Sequence, residues 1–426
     1  MNIEELYALY LQNPSVETDT RKLKNGDLFF ALKGPKYNGN HYALQALQAG
    51  ASYCICDEVL EFKSDRIILV ADALQTLQQL AKFHRQQFSI PFIAITGSNG
   101  KTTTKELVSA VLATKYKIYT TQGNLNNHIG VPLTILRVQK DAQMAIIEMG
   151  ANHRQEIASY CEYCLPTHAN ITNCGKAHLE GFGGEEGVKK GKGELYNYIL
   201  QTNGTVFINN DYDYLHNMSA LIKNKITYGS IEDAAFVGRA KEKDFFLEVE
   251  IVKGAEINII KTQLAGNYNL ANVMSAVCIG KHFGVADEKI KKALEAYIPT
   301  NSRSQIIKKN SNTILLDAYN ANPSSMKVAI ENFAAMQGEN KIVIIGGMME
   351  LGEESKKEHA NIIELLSHYK WNKVVVAGKD FAKLPSSFLQ FNNAIEIANW
   401  FKEQEFVDTT ILIKGSRSMA MEKVLE

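Results

Sequence analysis

The sequence lacks the segments that would send a protein to a membrane or into an oxidising compartment. Residues 1–6 contain neither the basic nor the apolar stretch of a secretory signal, and no run of about 18 apolar residues occurs. Cysteine is scarce, with six in 426 residues, and the one close pair, Cys161 and Cys164, has no second pair at zinc-ribbon spacing. We therefore expect a cytoplasmic protein without membrane insertion, in which these two cysteines are reduced thiols on a helix.

An excess of charge of either sign is also absent, since 46 Lys and Arg residues balance 46 Asp and Glu residues. No overall field draws the chain towards nucleic acid, so an anionic ligand has to be held by a local site. Prolines are few, at 8, and hydrophobic residues make up 45% of the chain, which excludes a disordered polypeptide. A chain of this length exceeds what one hydrophobic core usually organises, and we expect three domains.

The pattern of apolar residues changes along the first hundred residues. Short strands and helical segments alternate near the N-terminus, including an apolar run at 26–32 and a helical stretch at 42–49. Helical spacing at 74–88 then precedes an apolar run at 90–96. Because that run ends in a glycine loop, it is typical of a buried parallel strand, and we expect a second domain to begin there.

The rest of the chain alternates strand-like and helical segments, which favours parallel sheets covered by helices. Strands are expected at 143–148 and 168–172, with an antiparallel extension between 225 and 262. After a helix end near 298–303, further strands are expected at 313–317, 341–346, 373–377 and 410–413. The predicted class is α/β, with a small N-terminal α/β domain, a central parallel-sheet domain and a C-terminal Rossmann-like domain, over 1–85, 86–300 and 301–426.

The strongest local signal lies at residues 96–104, between a predicted strand and a predicted helix. Gly97 and Gly100 let the backbone approach a phosphate, Lys101 supplies a positive charge, and Thr102 offers a hydroxyl to Mg²⁺. Gly97 lies nearer to Lys101 than the first glycine of the usual P-loop pattern does, so the loop is a variant. The alternative is a glycine turn that merely precedes a helix, but strand, glycines, Lys-Thr pair and helix together favour nucleotide binding.

Two further residues are candidates for a metal site beside this loop. Glu148 directly ends a predicted strand, where its carboxylate would face bound phosphates, although a lone acid at a strand end is more often solvated. His178 lies in a loop after the strand at 168–172, where ligand groups gather in open α/β sheets. A single histidine is usually structural, and Mg²⁺ prefers oxygen ligands, so His178 alone is the weaker candidate.

Several sequence motifs resemble those of the Mur ligase family in their order and spacing. They lie at 96–103, 123–132, 147–152, 177–183, 317–323, 349–352 and 414–419. Residues 19–21 and 26–34 are similar to the family's UDP-binding domain. The resemblance covers nearly the whole chain and implies the three-domain Mur ligase architecture, with a central P-loop ATPase domain.

Within the family, 317–323 and 349–352 resemble the branch that joins D-Ala-D-Ala to UDP-N-acetylmuramoyl-tripeptide (UDP-MurNAc-tripeptide). The resemblance implies ATP-dependent amide ligation through an acyl phosphate, giving the pentapeptide, ADP and phosphate in peptidoglycan synthesis. It also implies two Mg²⁺ ions and a monomer. The alternatives are another Mur ligase step, a ligase like folylpolyglutamate synthase, or a nucleotide-dependent switch that makes no amide.

The resemblance also assigns roles to individual residues. Lys192 matches a lysine that is carbamylated in related ligases, and a carbamate would give Mg²⁺ the oxygen ligands that a lysine cannot. The implied catalytic residues are Lys101, Thr102, Glu148, His178 and Lys192, of which the last four are metal ligands. The implied ATP-binding residues are Gly97, Ser98, Asn99, Gly100, Lys101, Thr102, Thr103, Asn269, Asn272, Arg303 and Asp317. The implied substrate-binding residues are Thr20, Arg21, Lys33, Asn124, Asn126, Asn127, Tyr319, Asn320 and Asn322.

The sequence departs from the family's pattern in three places. Tyr268 stands where a histidine is usual, and Gly347 stands where an acid is usual. The residues Arg154 and Gln155 lack the glycine that is usual before the following glutamate, Glu156. Without the resemblance, Asn269 and Asn272 could equally be helix caps.

Overall fold

The computed structural model describes residues 1–241, 245–300 and 302–426. Residues 242–244, within the predicted strand region 225–262, and residue 301, the predicted start of the third domain, lie outside the described part. The protein has the predicted three-domain α/β architecture, with one main sheet in each domain. In the described part, no helix is both long and apolar enough to cross a membrane.

The N-terminal domain is built on a four-stranded parallel sheet in the order β1-β2-β5-β6. Helix α1, which the sequence analysis missed, begins with a capping box in which Asn2 and Glu5 bond to each other's backbone N–H. The predicted helix at 42–49 is a 3₁₀ turn followed by one short helix. The elements are α1 Ile3–Gln12, β1 Val16–Glu17, β2 Leu28–Phe30, β3 Lys33–Gly34, β4 Tyr37–Asn38, α2 Ala43–Gln48, β5 Tyr53–Cys56, β6 Ile67–Leu69 and α3 Ala73–Arg85.

The central domain contains a nine-stranded sheet in the order β15-β14-β13-β12-β11-β10-β7-β9-β8. Every residue of β7 and β9 is buried, as expected for parallel strands covered on both faces. The elements are β7 Phe92–Thr96, α4 Lys101–Leu112, β8 Ile118–Thr120, α5 Gly130–Leu136, β9 Met144–Glu148, α6 Glu156–Cys164, β10 His168–Ile171, α7 Leu179–Phe182, α8 Glu185–Thr202, β11 Thr205–Asn209, α9 Asp213–Met218, β12 Asn224–Gly229, β13 Phe236–Lys241, β14 Phe246–Lys253, β15 Ile259–Ala265, α10 Leu270–His282 and α11 Asp287–Ala296.

The predicted antiparallel extension at 225–262 is wrong for its first part. β12 pairs in parallel with both β11 and β13, and only the β13-β14-β15 portion is antiparallel. β12 lies inside the nine-stranded sheet, and its own residues do not show in which direction its neighbours run. Cys161 and Cys164 lie on a helix, α6, as predicted, and both are buried.

The C-terminal domain carries a six-stranded sheet in the order β16-β17-β21-β18-β19-β20, parallel except for the β16-β17 pair. All four strands predicted here are present. Both tryptophans of the chain, Trp371 and Trp400, lie in this domain. The elements are β16 Gln305–Lys309, β17 Asn312–Asp317, α12 Pro323–Ala335, β18 Lys341–Gly346, α13 Ser355–Ser367, β19 Lys373–Ala377, β20 Leu389–Phe391, α14 Ala394–Lys402 and β21 Thr410–Lys414.

Helix α3 joins the N-terminal domain to the central domain. It packs on α1 on one side and on α5 and α6 on the other. Near its end, a ring nitrogen of His84 lies 2.8 Å from the carbonyl oxygen of Val138. Arg85 is buried, and it donates to the carbonyls of Cys164 at 2.9 Å and Leu165 at 3.0 Å. The two domains therefore share a continuous packed interface.

Candidate active site

A cleft of about 770 Å³ opens at the carboxyl ends of β7, β9 and β10. This is the edge of an open α/β sheet where ligands usually bind. Its walls come from two domains, because residues after β17 and at the start of α12 in the C-terminal domain face the glycine loop of the central domain. Four of the five predicted catalytic residues line it, namely Lys101, Thr102, Glu148 and His178.

The glycine loop, residues 97–100 between β7 and α4, has the backbone conformation that its glycines predicted. Gly97 and Gly100 have φ of 143° and 78°, in the region that favours glycine. A Cβ on Gly100 would lie 2.5 Å from Oδ1 of Asn272, so a side chain there would collide with the neighbouring helix α10. Helix α4 begins at Lys101, which points its N-terminus and positive dipole end into the cleft.

Lys101 has no carboxylate in direct contact within the described residues. Its Nζ donates to the carbonyls of Gly97 at 2.6 Å and Ser98 at 3.1 Å. Burial lowers the pKa of Lys101 to about 8, against the opposing effect of Glu148. A phosphate bound in the loop would supply the counter-charge that this ammonium lacks.

Glu148 is the best candidate for a metal ligand. It is only 1% exposed, and its Oε1 accepts hydrogen bonds from Oγ1 of Thr102 at 3.0 Å and Nδ2 of Asn126 at 2.7 Å. Its Oε2 is buried and has no hydrogen-bond partner among the described residues. An unpaired carboxylate oxygen beside a threonine hydroxyl suits a hard cation such as Mg²⁺.

Lys192 and His178 are the other two side chains predicted as metal ligands. Lys192 is buried on α8, and its Nζ donates to the carbonyl of Ala151 at 3.1 Å. Burial and the nearby charge of Lys101 lower the pKa of Lys192 to about 7. Nδ1 of His178 makes a close contact with the carboxylate of Glu350 in the C-terminal domain. His178 therefore touches both domains, and Lys192 is an amine that sheds its proton easily.

The residues predicted to hold the nucleoside of ATP also line the cleft. The guanidinium of Arg303 stacks on the ring of Tyr319, 3.5 Å from its centroid. Asn272 accepts from Oγ1 of Thr104 at 2.9 Å and donates to Oδ1 of Asn269 at 2.8 Å. The side chain of Asn269 donates to the carbonyl of Ala265 instead of capping α10, so the cap alternative is wrong for this residue.

Family comparisons agree with this geometry. Residues 14–85, 95–280 and 302–417 match, in that order, the models described as Mur ligase family, catalytic domain; Mur ligase middle domain; and Mur ligase, glutamate ligase domain. The chain is 33% identical to the UDP-N-acetylmuramoyl-tripeptide--D-alanyl-D-alanine ligase of Bacillus subtilis, across 100% of this chain and 97% of that protein.

This chain belongs to the Mur ligase family.

Further relatives support the assignment. The Escherichia coli ligase of the same name is 34% identical over 99% of this chain and 95% of its own length. Among solved structures, MurF from Acinetobacter baumannii has a TM-score of 0.88 at 29% identity, covering 96% of this chain and 92% of that one. MurF from Thermotoga maritima in complex with ADP also has a TM-score of 0.88, at 27% identity and 97% coverage of both chains. The ADP complex links this fold to ATP use.

The structure of this Mur ligase separates the predicted substrate residues into two groups. Six of them line the cleft: Asn124, Asn126, Asn127, Tyr319, Asn320 and Asn322. The other three lie in the N-terminal domain, outside this cleft. There, Arg21 is 85% exposed and pairs with Asp19, whereas Nζ of Lys33 lies 3.2 Å from Asp57.

Three residues of the cleft region had no predicted role. Ser304 bonds to the hydroxyl of Tyr268 at 2.6 Å, Ser324 accepts from the backbone N–H of Lys176 at 2.8 Å, and Glu358 pairs with Nζ of Lys176 at 2.8 Å. Each contact joins residues 36 to 182 positions apart. A single sequence carries no local signal for such pairs. The departure at Tyr268 was the one visible hint.

Proposed function

We propose that this Mur ligase joins the amine of D-Ala-D-Ala to the terminal carboxylate of UDP-MurNAc-tripeptide, with ATP converted to ADP and phosphate. The observation that carries the proposal is the cleft shared by two domains, in which the glycine loop and Glu148 face the start of α12. The names of the full-length relatives give the substrates. We also propose that the enzyme is cytoplasmic, because its co-substrate ATP is abundant there, and that it is a monomer, as the family resemblance implies.

The reaction proceeds in two steps. A carboxylate oxygen of the tripeptide attacks the γ-phosphorus of ATP, the bond to the β,γ-bridging oxygen breaks, and ADP leaves. The amine then attacks the acyl phosphate carbonyl, phosphate departs with the C–O bonding pair, and the nitrogen loses a proton. Lys101, the loop N–H groups and the dipole of α4 offset the charge on the transferring phosphoryl group.

The residues around Glu148 suit Mg²⁺, which would neutralise phosphate charge when bound. Thr102 and the free Oε2 of Glu148 would hold one ion. Such an ion would take its remaining ligands from phosphate and water. We assign a second ion to His178 and to Lys192 as its carbamate.

The remaining predicted contacts belong to the two ends of the substrates. Four side chains would hold the nucleoside of ATP, namely Asn269, Asn272, Arg303 and Asp317. Nζ of Lys414 donates to Oδ2 of Asp317 at 2.5 Å and so fixes the position of this carboxylate. We assign Thr20, Arg21 and Lys33 to the UDP group. Because Arg21 is exposed and its partner Asp19 is its near neighbour, its guanidinium can turn to a diphosphate at little cost.

The phosphate-loop assignment is tested by Lys101→Ala. We expect the loss of turnover by a factor on the order of 10² or more, because one preorganised charge at the transferring group is removed. Circular dichroism should show an unchanged fold. Full activity in the variant would refute the assignment.

The substrate assignment is tested by measuring ADP release with UDP-MurNAc-tripeptide and a series of amines. We expect turnover with D-Ala-D-Ala. Turnover with a different amine alone would assign the chain to another ligase step. Tight ATP binding without amide formation from any muramoyl peptide would support a nucleotide-dependent switch.

A further inference from the structure

Residues 173–178, here called the bridge loop, follow β10 and are bonded to the glycine loop. The backbone N–H of Ser98 donates to the carbonyl of Asn173 at 2.9 Å, and that of Asn99 donates to Oδ1 of Asn173 at 3.0 Å. The hydroxyl of Ser98 lies 3.0 Å from both the N–H and the carbonyl oxygen of Gly175. These bonds hold the bridge loop against the backbone that would contact a bound phosphate.

The other side of the bridge loop is bonded to the C-terminal domain. Lys176 donates its backbone N–H to Oγ of Ser324, the second residue of α12, and its Nζ to Oε1 of Glu358 on α13, both at 2.8 Å. The side chain of Glu358 is only 5% exposed. Two bonds from one residue thus reach two helices of the other domain, and one of them is an ion pair with a buried acid.

Lys176 also has an acceptor within its own domain. Glu185, at the start of α8, lies 3.5 Å from its Nζ and is 59% exposed. If the domains separate, Lys176 keeps Glu185 as a partner, and Glu358 keeps the hydrogen bond from Nδ2 of Asn361 at 3.3 Å. The ion pair therefore favours the closed arrangement without trapping an unpaired charge in the open one. Glu358 raises the pKa of Lys176, so the lysine stays charged at neutral pH.

We propose that Lys176 and Glu358 are positioning residues that lock the C-terminal domain onto the nucleotide-loaded glycine loop, and so complete the amine site of this ligase. The proposal rests on the proposed function, because an amine site formed between two domains needs them to be closed. The lock acts chiefly on binding of the amine, which comes second, and more weakly on the nucleotide, which Arg303 and Asp317 contact from the C-terminal domain. It makes no contact with reacting atoms.

The test uses Lys176→Met, Glu358→Gln, the double variant and Lys176→Arg in the full-length enzyme. Each single variant should raise the KM for D-Ala-D-Ala about tenfold, with kcat changed less and with a smaller loss of affinity for Mg·ADP. The double variant should be no worse than either single one, because both remove the same interaction. Lys176→Arg should restore most of the amine affinity.

A matched control is Glu354→Gln, which removes an exposed partner of Lys357 just before α13. It should leave the KM for the amine unchanged. Unchanged amine KM in Lys176→Met, or effects that add in the double variant, would overturn the lock. Should Glu358→Gln unfold the C-terminal domain, Lys176→Met still decides, because the side chain of Lys176 is 36% exposed.

Small-angle scattering separates this proposal from the proposed function. With Mg·ADP, wild type should have a smaller radius of gyration than Lys176→Met, and no amide needs to form. Equal radii would count against the lock even in an active ligase. If wild type makes no amide from D-Ala-D-Ala but still has a smaller radius of gyration than Lys176→Met, only the substrate assignment is refuted.

Discussion

Lys192 sits in a setting that suits an uncharged amine. It is buried on α8, and the charge of Lys101 adds to the effect of burial in lowering its pKa to about 7. A neutral amine is the form that attacks CO₂ to give a carbamate, and its fraction rises as the pH passes upward through the pKa. The proposed metal ligand is thus prepared by the protein's own electrostatics.

We therefore predict a pH-dependent carbamate at Lys192. In ¹³C-bicarbonate buffer, a carbamate NMR signal should grow between about pH 6 and about pH 8, because the neutral fraction of Lys192 increases through its pKa of about 7. An ordinary lysine would remain protonated over this range. Lys192→Arg should abolish the signal. Lys190→Arg, a change at an exposed neighbour, should preserve it. A signal that persists in Lys192→Arg would place the modification elsewhere.

His168 offers a second prediction, on acid stability. It lies between Phe207 and His282, and burial with the nearby His282 lowers its pKa from 6.5 to about 4. Below pH 6.5 the unfolded chain binds a proton at this residue that the folded chain does not, so stability falls as the pH drops towards 4. His168→Gln should flatten the decline of the calorimetric Tm across this range. His41→Gln, at an exposed site, should leave the decline as steep as in wild type.

At the scale of elements, the start of α12 has two functions. Oδ1 of Asn322 caps the helix by accepting from the N–H of Ser325 at 2.9 Å, and its Nδ2 donates to Oδ1 of Asn99 in the glycine loop at 2.7 Å. One side chain therefore both stabilises a helix of the C-terminal domain and bonds to the ATP site.

Two substitutions separate these functions. Asn322→Ala removes the cap and should lower the free energy of unfolding of the C-terminal domain by about 1 kcal/mol, whereas Asn322→Ser keeps a capping oxygen and should lower it much less. Urea unfolding followed by tryptophan fluorescence reports this domain, since both tryptophans lie in it. Turnover should fall in both variants, because both lose the bond to Asn99. Equal losses of stability would show that the cap is unimportant.

Strong local patterns made some elements predictable. The glycine loop, β9 with Glu148 at its end, and the strands of the C-terminal sheet are encoded by neighbouring residues, and they lie where expected. Helix α1 was missed although Asn2 and Glu5 carry its capping signal. The direction of β12 was wrong, because strand pairing depends on residues remote in sequence.

At the scale of the whole molecule, which residues meet in the cleft was only partly predictable. The family resemblance gave Asn322 and Arg303 to the site, but not that Asn322 bonds to Asn99 across 223 positions. Glu358 had no motif and no predicted role. Its importance comes from burial opposite Lys176, which only the packing of two domains reveals.

The attachment of the N-terminal domain gives a prediction at this scale. Arg85 bonds to two carbonyls at the end of α6 and lies 3.8 Å from the centre of the Phe92 ring. Arg85→Met should lower the free energy of unfolding by about 3 kcal/mol, since three carbonyls, including that of Phe88, lose a charged donor. Calorimetry should show a lower Tm, and Lys82→Met, at an exposed site on the same helix, should show none of this loss. A Tm equal to wild type would contradict the role of Arg85.

The position of α3 also limits how this enzyme can be divided. Its apolar face is shared, with α1 on one flank and α5 and α6 on the other. A cut between residues 85 and 86 falls where one family model ends. It would nevertheless leave both fragments with an exposed hydrophobic surface. Fragments made there should aggregate or associate with each other. A cut near residue 300, after α11, would leave α3 fully covered.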